Sequence, residues 1–203
     1  MLALEAITLQ NISSQKLISE LPEFYVLKTV IEHNGSHDHD AVFDHCVRTA
    51  EKLLEILKQA PEHVREKLEE KSGDTRRKDL LFIAALFHDI GKSITPADEA
   101  GAFLDHEKVG AQLLRDVTLP KIDLSLSAKE RIVSMVENHG LLHLLAIDTE
   151  NLATRMEEAK QQHKAIWLEL IILVLADTAG SDLAALDKER YQAKMSFFHT
   201  LLI

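Results

Sequence analysis

The sequence predicts an all-α protein folded as a helical bundle, and three observations support this prediction. Leu, Ala, Glu and Lys, which favour helices, are common, whereas aromatic residues make up only 5%. Seven Gly and four Pro are few interruptions for 203 residues. Apolar side chains recur at helical spacing over most of the chain. We therefore expect one domain that is long enough to bury a substantial core.

The elements can be predicted in chain order from these apolar repeats. Residues 1–20 are weakly patterned and allow one short helix, while 141–162 are ambiguous, with Thr149 as a candidate cap. Residues 37–40 form a polar approach to a helix, with Asp40 as its N-cap. Helices are predicted at 23–33, 41–60, 62–71, around 80–87, and at 103–117, 128–138, 164–179 and 182–203. Within the single domain 1–203, we expect residues 1–32 to be an N-terminal helical extension and 183–203 a C-terminal amphipathic helix.

Two ionisable residues, His88 and Asp89, follow the buried run 80–87 directly. A charged Asp at the end of a core helix costs several kcal/mol if it is unpaired, and a cation held by both side chains removes that cost. We expect Gly91 to take the left-handed conformation that ends a helix and to turn Lys92 toward the same place. For an isolated His-Asp pair, a simple hydrogen bond is the better explanation. The case for a metal therefore depends on the rest of the chain.

Further titratable side chains fall on or beside apolar helix faces or at helix ends, where they are least expected. Besides His88 and Asp89, these are His45, His106, His139 and Asp177. Imidazoles and carboxylates together suit Mn, Fe, Co, Ni or Zn, whereas Mg, which prefers oxygen, fits them less well. A structural zinc knuckle is excluded because the chain has a single cysteine.

Composition excludes several other classes of protein. The net charge of −10 argues against a protein that holds a long nucleic acid through phosphate contacts. The basic residues 76–78 are better explained as a solvated helix start. The single cysteine, Cys46, permits no internal disulfide and is predicted to pack in the core. We find no signal peptide and no apolar stretch that spans a bilayer, so we expect no membrane partner and a cytoplasmic location.

The order of these residues resembles the HD-domain metal-dependent phosphohydrolases, whose pattern is an early His, a His-Asp doublet and a late Asp. The more detailed likeness is to the HD domain of bacterial tRNA nucleotidyltransferases, in which H-D-x-G-K is followed by T-P and H-E. The matching residues here are His45, His88-Asp89-Ile90-Gly91-Lys92, Thr95-Pro96, His106-Glu107 and Asp177. The resemblance covers residues from about 33 to 182. Those enzymes also carry a polymerase-like head, for which 203 residues leave no room, so we expect no CCA addition.

The resemblance implies an HD-domain helical bundle with a bound divalent transition metal. The first ion would be held by His45, His88, Asp89 and Asp177. In binuclear members the aspartate of the doublet bridges to a second ion, here bound by His106 and His139, and we favour this form with two ions over one.

Two departures from the family pattern concern residues near these ligands. Asp105 stands where members often have Gly before the His-Glu pair. Thr178-Ala179 stand where an Arg often follows the late Asp, so an arginine contact to phosphate is missing at that position.

The resemblance further implies hydrolysis of a phosphate ester, as a phosphomonoesterase or phosphodiesterase, by water that the metal activates. Lys92 would offset charge on the phosphoryl oxygens, and protonated His139 or His143 would donate a proton to the leaving oxygen. His143 is also an alternative metal ligand to His139. We expect a nucleotide or another small phosphorylated substrate, and the C-terminal helix could pair two copies into a homodimer.

Two alternatives remain open at this point. The first is a cyclic-dinucleotide or guanosine tetraphosphate hydrolase, although the Gly-Tyr-Pro tripeptide usual in the cyclic-dinucleotide group does not occur here. The second is a non-catalytic regulatory module that binds a nucleotide or only a metal. The complete ligand set and the retained Lys92 argue against this second alternative.

Overall fold

The computed structural model describes residues 1–147 and 151–202, and it confirms an all-α bundle, to which two small β-hairpins are added. The α-helices are α1 Leu9–Ser13, α2 Pro22–Tyr25, α3 Val42–Gln59, α4 Glu62–Glu69, α5 Arg77–Phe87, α6 His106–Leu113, α7 Leu126–Glu137, α8 Leu141–Ile147, α9 Leu152–Gln162, α10 Trp167–Gly180, α11 Leu183–Leu186 and α12 Lys188–Thr200. The strands are β1 Ile31–Asn34, β2 His37–Ala41, β3 Lys71–Ser72 and β4 Thr75–Arg76. Short 3-10 helices occupy Leu4–Ala6, Val26–Thr29, Ile90–Ser93 and Leu119–Lys121, and a π-helical turn occupies Leu114–Thr118.

Helix α10 forms the centre of the core. Residues 170–176 of this helix are all buried, because it is apolar nearly all round and is covered by α3 and α5. The contact with α3 is tight at Gly180, where a Cβ would lie 2.8 Å from Oγ1 of Thr49. The predicted helices at 41–60, 128–138 and 164–179 are confirmed as α3, α7 and α10 to within three residues at each end.

The N-terminal residues pack on this core and complete it. Phe24 is fully buried, and its ring centroid lies 5.2 Å from that of Phe43 and 5.1 Å from that of Phe87. Glu23 accepts a hydrogen bond of 2.8 Å from the hydroxyl of Thr118 and pairs with Lys121. The N-terminal segment is therefore joined to the bundle by both apolar and polar contacts.

The hairpin β1–β2 differs from the sequence prediction. The prediction of a helix over 23–33 is wrong for the second half of this range, because the chain leaves α2 through a 3-10 turn and enters β1. Asp40 lies in β2 and does not cap α3; the N-cap is Ala41 and makes no side-chain hydrogen bond. The carboxylate of Asp40 instead pairs with the guanidinium of Arg48. This ion pair attaches the hairpin to α3.

Three further predictions need correction. Gly91 lies in a 3-10 helix and is not among the glycines with positive φ in the described residues, which are Gly73 and Gly101. Arg77 is buried against Glu169 and is not solvated. The helix predicted over 182–203 is broken at Asp187 into α11 and α12. Thr149, the candidate cap, lies outside the described residues. Across the described ranges, the structure contains no helix with the length and apolar character that crossing a bilayer requires.

Candidate metal centre

Five separate segments bring the predicted ligands to one place between α3, α5, α6, α7 and α10. His45 lies in α3, Asp177 in α10, and His106 is the first residue of α6. The remaining three occupy helix ends: His88 and Asp89 follow α5, and His139 comes two residues after α7. All are buried except Asp177 and His106, which are partly buried.

The first group of donor atoms, the first trio, consists of His45, His88 and Asp177. Nε2 of His45 lies 3.2 Å from Nε2 of His88 and 2.9 Å from Oδ1 of Asp177. Nε2 of His88 lies 3.7 Å from the same oxygen. Two nitrogens and a carboxylate oxygen therefore surround one small volume, with donor atoms within 4.8 Å of one another.

The second trio consists of Asp89, His106 and His139. Oδ1 of Asp89 lies 3.1 Å from Nε2 of His106 and 3.6 Å from Nε2 of His139, and the two nitrogens are 3.3 Å apart. The other oxygen of Asp89, Oδ2, lies 3.3 Å from Nε2 of His88 in the first trio. Oδ1 of Asp89 thus faces the two imidazoles of the second trio, and Oδ2 faces the first trio. A carboxylate that bridges two metal ions would be placed in this way.

Backbone hydrogen bonds fix the orientation of three of these imidazoles. Nδ1 of His88, His106 and His139 each lies 2.7–2.9 Å from the carbonyl oxygen three residues earlier, of Ala85, Phe103 and Val136 respectively. Because a carbonyl only accepts, Nδ1 carries a proton, and the lone pair of the neutral ring is on Nε2. When the rings are neutral, facing lone pairs repel unless a cation lies between them. Burial opposes protonation of His88 and His106, yet Asp89 raises the pKa of both imidazoles. The site thus attracts positive charge, which either protons or a divalent metal would supply, and the donor chemistry fits the metal.

Electrostatics at the centre favour positive charge. Burial opposes ionisation of Asp89, yet His88 and Lys92 hold the pKa of this carboxyl well below its usual value. Burial also opposes ionisation of Asp177, but hydrogen bonds with His143 and His45 keep its pKa well below the usual range. Both carboxyls are therefore charged at neutral pH. Burial lowers the pKa of His139, which keeps that ring neutral and suitable as a ligand.

A cavity of about 280 Å³ opens beside the two trios. All the predicted ligands except His88 line it, together with Lys92 and His143. Lys92 is buried, and its Nζ lies 2.8 Å from Oδ2 of Asp89 and 2.8 Å from Oε1 of Glu32 on β1. Its ammonium group therefore holds Asp89 through Oδ2, whereas His106 faces Oδ1.

Comparison with known sequences identifies the fold that carries this centre. The sequence profile of the HD domain matches residues 42–179, which is more than half of the chain and includes all six predicted ligands. The chain belongs to the HD-domain family. The Multifunctional CCA protein of Cupriavidus necator is 37% identical to this HD domain over 60 residues, which are 30% of this chain and 14% of that protein. The matching segment is thus a small part of that relative.

Family membership gives the trios a chemical context, because HD domains bind divalent metals and are in general metal-dependent hydrolases. The described residues contain other groups of possible donors, including the exposed His33, Asp38 and His39 on the hairpin. Cys46 lies beside His88 and Asp89, but burial raises the pKa of its thiol, which is therefore protonated. This fits the predicted core position of Cys46.

His143 and His139, which the sequence left as alternatives, occupy different places in the structure. His139 belongs to the second trio, whereas Nε2 of His143 lies 2.8 Å from Oδ2 of Asp177. Nδ1 of His143 accepts a hydrogen bond of 3.2 Å from Nζ of Lys194 on α12. Its proton is consequently on Nε2, and the ring contacts Asp177 from outside the first trio.

Sequence reasoning missed two side chains that line the cavity, Glu32 and Lys194. Glu32 is buried and contacts Lys92, and Lys194 contacts His143. A third, His37, was predicted in an exposed polar approach but is a buried strand residue whose ring centroid lies 4.6 Å from that of His45. Glu32 and His37 belong to the hairpin that was predicted as helix and polar approach. A buried Glu or Lys in a polar segment has no sequence signal of its own, because its partner is distant in the chain.

Proposed function

We propose that this HD domain is a metal-dependent phosphohydrolase that acts on a nucleotide or another small phosphate ester. The observation that carries the proposal is the carboxylate of Asp89, because Oδ2 faces His88 of the first trio and Oδ1 faces His106 of the second. We assign His45, His88, Asp89 and Asp177 to one ion, and Asp89, His106 and His139 to a second. Mn, Fe, Co, Ni or Zn suits this nitrogen-rich set better than Mg.

A divalent cation held there would supply an activated water for attack on phosphorus and would offset charge on the phosphoryl oxygens. The protein groups have separate roles around it. Lys92 orients Asp89 through the 2.8 Å contact, and its ammonium group offsets the negative charge of Asp89 and Glu32 beside the cavity.

We assign protonation of the leaving oxygen to His143 and not to His139. His139 is neutral through burial and its Nε2 is directed into the second trio, so it has no proton to give there. His143 lines the cavity, where its Nε2–H donates to Asp177 and its Nδ1 accepts from Lys194. To serve the leaving oxygen, the ring must first take up a proton from solvent at Nδ1, and Nδ1–H then donates that proton to the leaving oxygen.

The size of the cavity supports a small substrate. Its volume of about 280 Å³ lies just below the range for drug-sized ligand sites, which begins at roughly 300 Å³. A single phosphate ester or mononucleotide suits this volume better than a cyclic dinucleotide. The resemblance to the HD domain of tRNA nucleotidyltransferases agrees with the similarity to a Multifunctional CCA protein, and on that analogy we propose nucleoside 2′,3′-cyclic phosphates and nucleotide monoesters as first candidates.

The test is a hydrolysis screen over phosphomonoesters and phosphodiesters with Mn, Co, Ni, Zn and Mg. We expect at least one small ester to be hydrolysed with a transition metal. His88→Ala should be inactive, whereas His63→Ala, which changes an exposed imidazole on α4, should keep full activity and serves as the matched control. Metal-loaded protein that hydrolyses no ester would refute the proposal in favour of a non-catalytic binding module.

A further inference from the structure

The C-terminal helix α12 places the cation of Lys194 at the cavity and that of Arg190 near the neighbouring β1–β2 turn. Lys194 lines the cavity and is partly buried. Arg190, one turn earlier on the same helix, extends to the β1–β2 turn, where a Cβ on Gly35 would lie 3.4 Å from its Nη1. Helix α12 lies outside residues 42–179, the segment that matches the HD-domain profile. The two cations are therefore an addition that this chain makes to the matched domain.

The two lysines that line the cavity differ in their partners. Lys92 has a carboxylate oxygen at 2.8 Å on each of two sides, so its charge is already compensated. Lys194 contacts only Nδ1 of His143, at 3.2 Å, and forms no salt bridge with any residue that the structure describes. It is thus a partly buried ammonium group with a neutral partner.

The surroundings of Lys194 suit an anion. The chain carries a net charge of −10, and four carboxylates line the cavity, so an anionic substrate needs a local positive group to enter. Burial and the nearby Arg190 lower the pKa of Lys194, and a bound anion would act in the opposite direction. An anionic oxygen is also a stronger partner for an ammonium than a neutral imidazole nitrogen is.

We propose that Nζ of Lys194 binds an anionic oxygen of the substrate, which makes Lys194 a substrate-binding residue supplied by α12. This proposal rests on the proposed function, because it takes the cavity to be the site of a phosphate ester. The contact itself requires only an anion and no turnover. It can therefore be tested separately from hydrolysis.

The experiment is a calorimetric titration of the manganese-loaded full chain with inorganic phosphate. We expect the dissociation constant to rise at least about tenfold in Lys194→Met, the loss that removal of one charge-assisted hydrogen bond produces. Lys194→Arg should retain most of the affinity because it keeps the charge. Lys188→Met, which removes an exposed charge from the same helix, is the matched control and should bind phosphate like the wild type.

Manganese content is measured on the same samples to separate two roles of Lys194. One role is direct binding of substrate, and the other is positioning of Asp177 through His143. We expect Lys194→Met to retain its manganese, because Lys194 contacts neither trio directly. The proposal is wrong if the wild type binds no phosphate, if Lys194→Met binds it normally, if Lys188→Met is equally impaired, or if manganese and phosphate are lost together. Phosphate binding through Lys194 without hydrolysis of any ester would refute the hydrolase and leave this contact standing.

Discussion

Single side chains determine whether the centre can hold ions, and Asp89 is the one that both trios share. Oδ1 faces His106 and His139, and Oδ2 faces His88. Lys92 contacts Oδ2 as well, so neighbouring side chains hold both oxygens of this carboxylate. Without it, the facing imidazole nitrogens have no bridging anion.

Removal of this carboxylate gives the first prediction. Asp89→Ala should abolish metal binding and activity while the helix content stays nearly unchanged, because Asp89 follows the end of α5 and lies in no helix interior. Elemental analysis, a hydrolysis assay and circular dichroism test this. Asp123→Ala, which changes an exposed carboxylate, is the control and should bind metal normally. A variant of Asp89 with full activity would contradict the assignment.

That these six side chains lie together could be predicted from the sequence, because titratable residues beside apolar runs are rare and their order along the chain matches a known pattern. Their role as metal ligands stays a prediction. The orientation of the imidazoles could not be predicted, since it depends on backbone carbonyls such as those of Ala85 and Val136. The roles of Glu32 and Lys194 also depend on contacts between distant segments. Their residue types alone are typical of a solvated surface.

Among the elements, the 3-10 helix Ile90–Ser93 and α6 approach each other closely enough to place His106 beside Asp89. A Cβ on Gly91 would lie 2.0 Å from the carbonyl oxygen of His106 and 2.6 Å from the backbone nitrogen of Gly110. Gly91 is therefore required for this close approach, and not for a left-handed turn as the sequence predicts. The two glycines allow the two backbones to meet.

The second prediction concerns the addition of a methyl group at this contact. Gly91→Ala should push α6 away, destabilise the fold by about 1–3 kcal/mol and weaken the second trio, because no flexible side chain is present to yield. Urea unfolding and metal stoichiometry measure both effects. Gly35→Ala is the matched control, since its Cβ would meet only Nη1 of Arg190 at 3.4 Å. Equal stability and metal content of the two variants would contradict the packing explanation.

A buried ion network joins α5, α7 and α10. Glu169 is fully buried in α10 and accepts hydrogen bonds of 2.8 Å and 2.7 Å from Arg77 of α5. Arg131 of α7 donates to the same carboxylate through Nε at 2.9 Å. The sequence indicates a charged residue in an apolar helix at this position but gives no sign of its partners.

Neutralisation of this carboxylate gives the third prediction. Glu169→Gln should lower the free energy of unfolding by about 3 kcal/mol, because the buried Arg77 and the partly buried Arg131 lose the carboxylate charge that they share. Glu55→Gln, which breaks an exposed pair with Lys52, should change it by less than about 1 kcal/mol. Urea titrations of both variants decide the matter. Similar small losses for both would show that the buried network contributes little.

The β1–β2 hairpin shows which elements the sequence does not predict. Its strands are rich in His, Asp and Asn, which are poor strand formers, and no apolar alternation is present. Contacts with other elements hold it in place, namely Glu32 with Lys92 and Asp40 with Arg48. Helices such as α3 and α10 were predictable because their own apolar pattern is sufficient to define them.

For the molecule as a whole, the metal centre joins helices that are far apart in the sequence, so ion binding should stabilise the entire fold. Manganese at about 100 times its dissociation constant adds about 2.7 kcal/mol, which corresponds to a rise in Tm of about 5–10 °C for a chain of this size. This fourth prediction is tested by thermal unfolding with manganese and with EDTA. Asp89→Ala should show no such rise, and an equal rise in that variant would place the stabilising ion elsewhere.

The most direct test of the central claim is a crystal structure of the manganese-loaded protein with anomalous diffraction data. We predict two anomalous peaks, one among His45, His88 and Asp177 and one among Asp89, His106 and His139, with the carboxylate of Asp89 between them. Anomalous density only at the exposed His33, Asp38 and His39 group, or at none of these residues, would contradict the account.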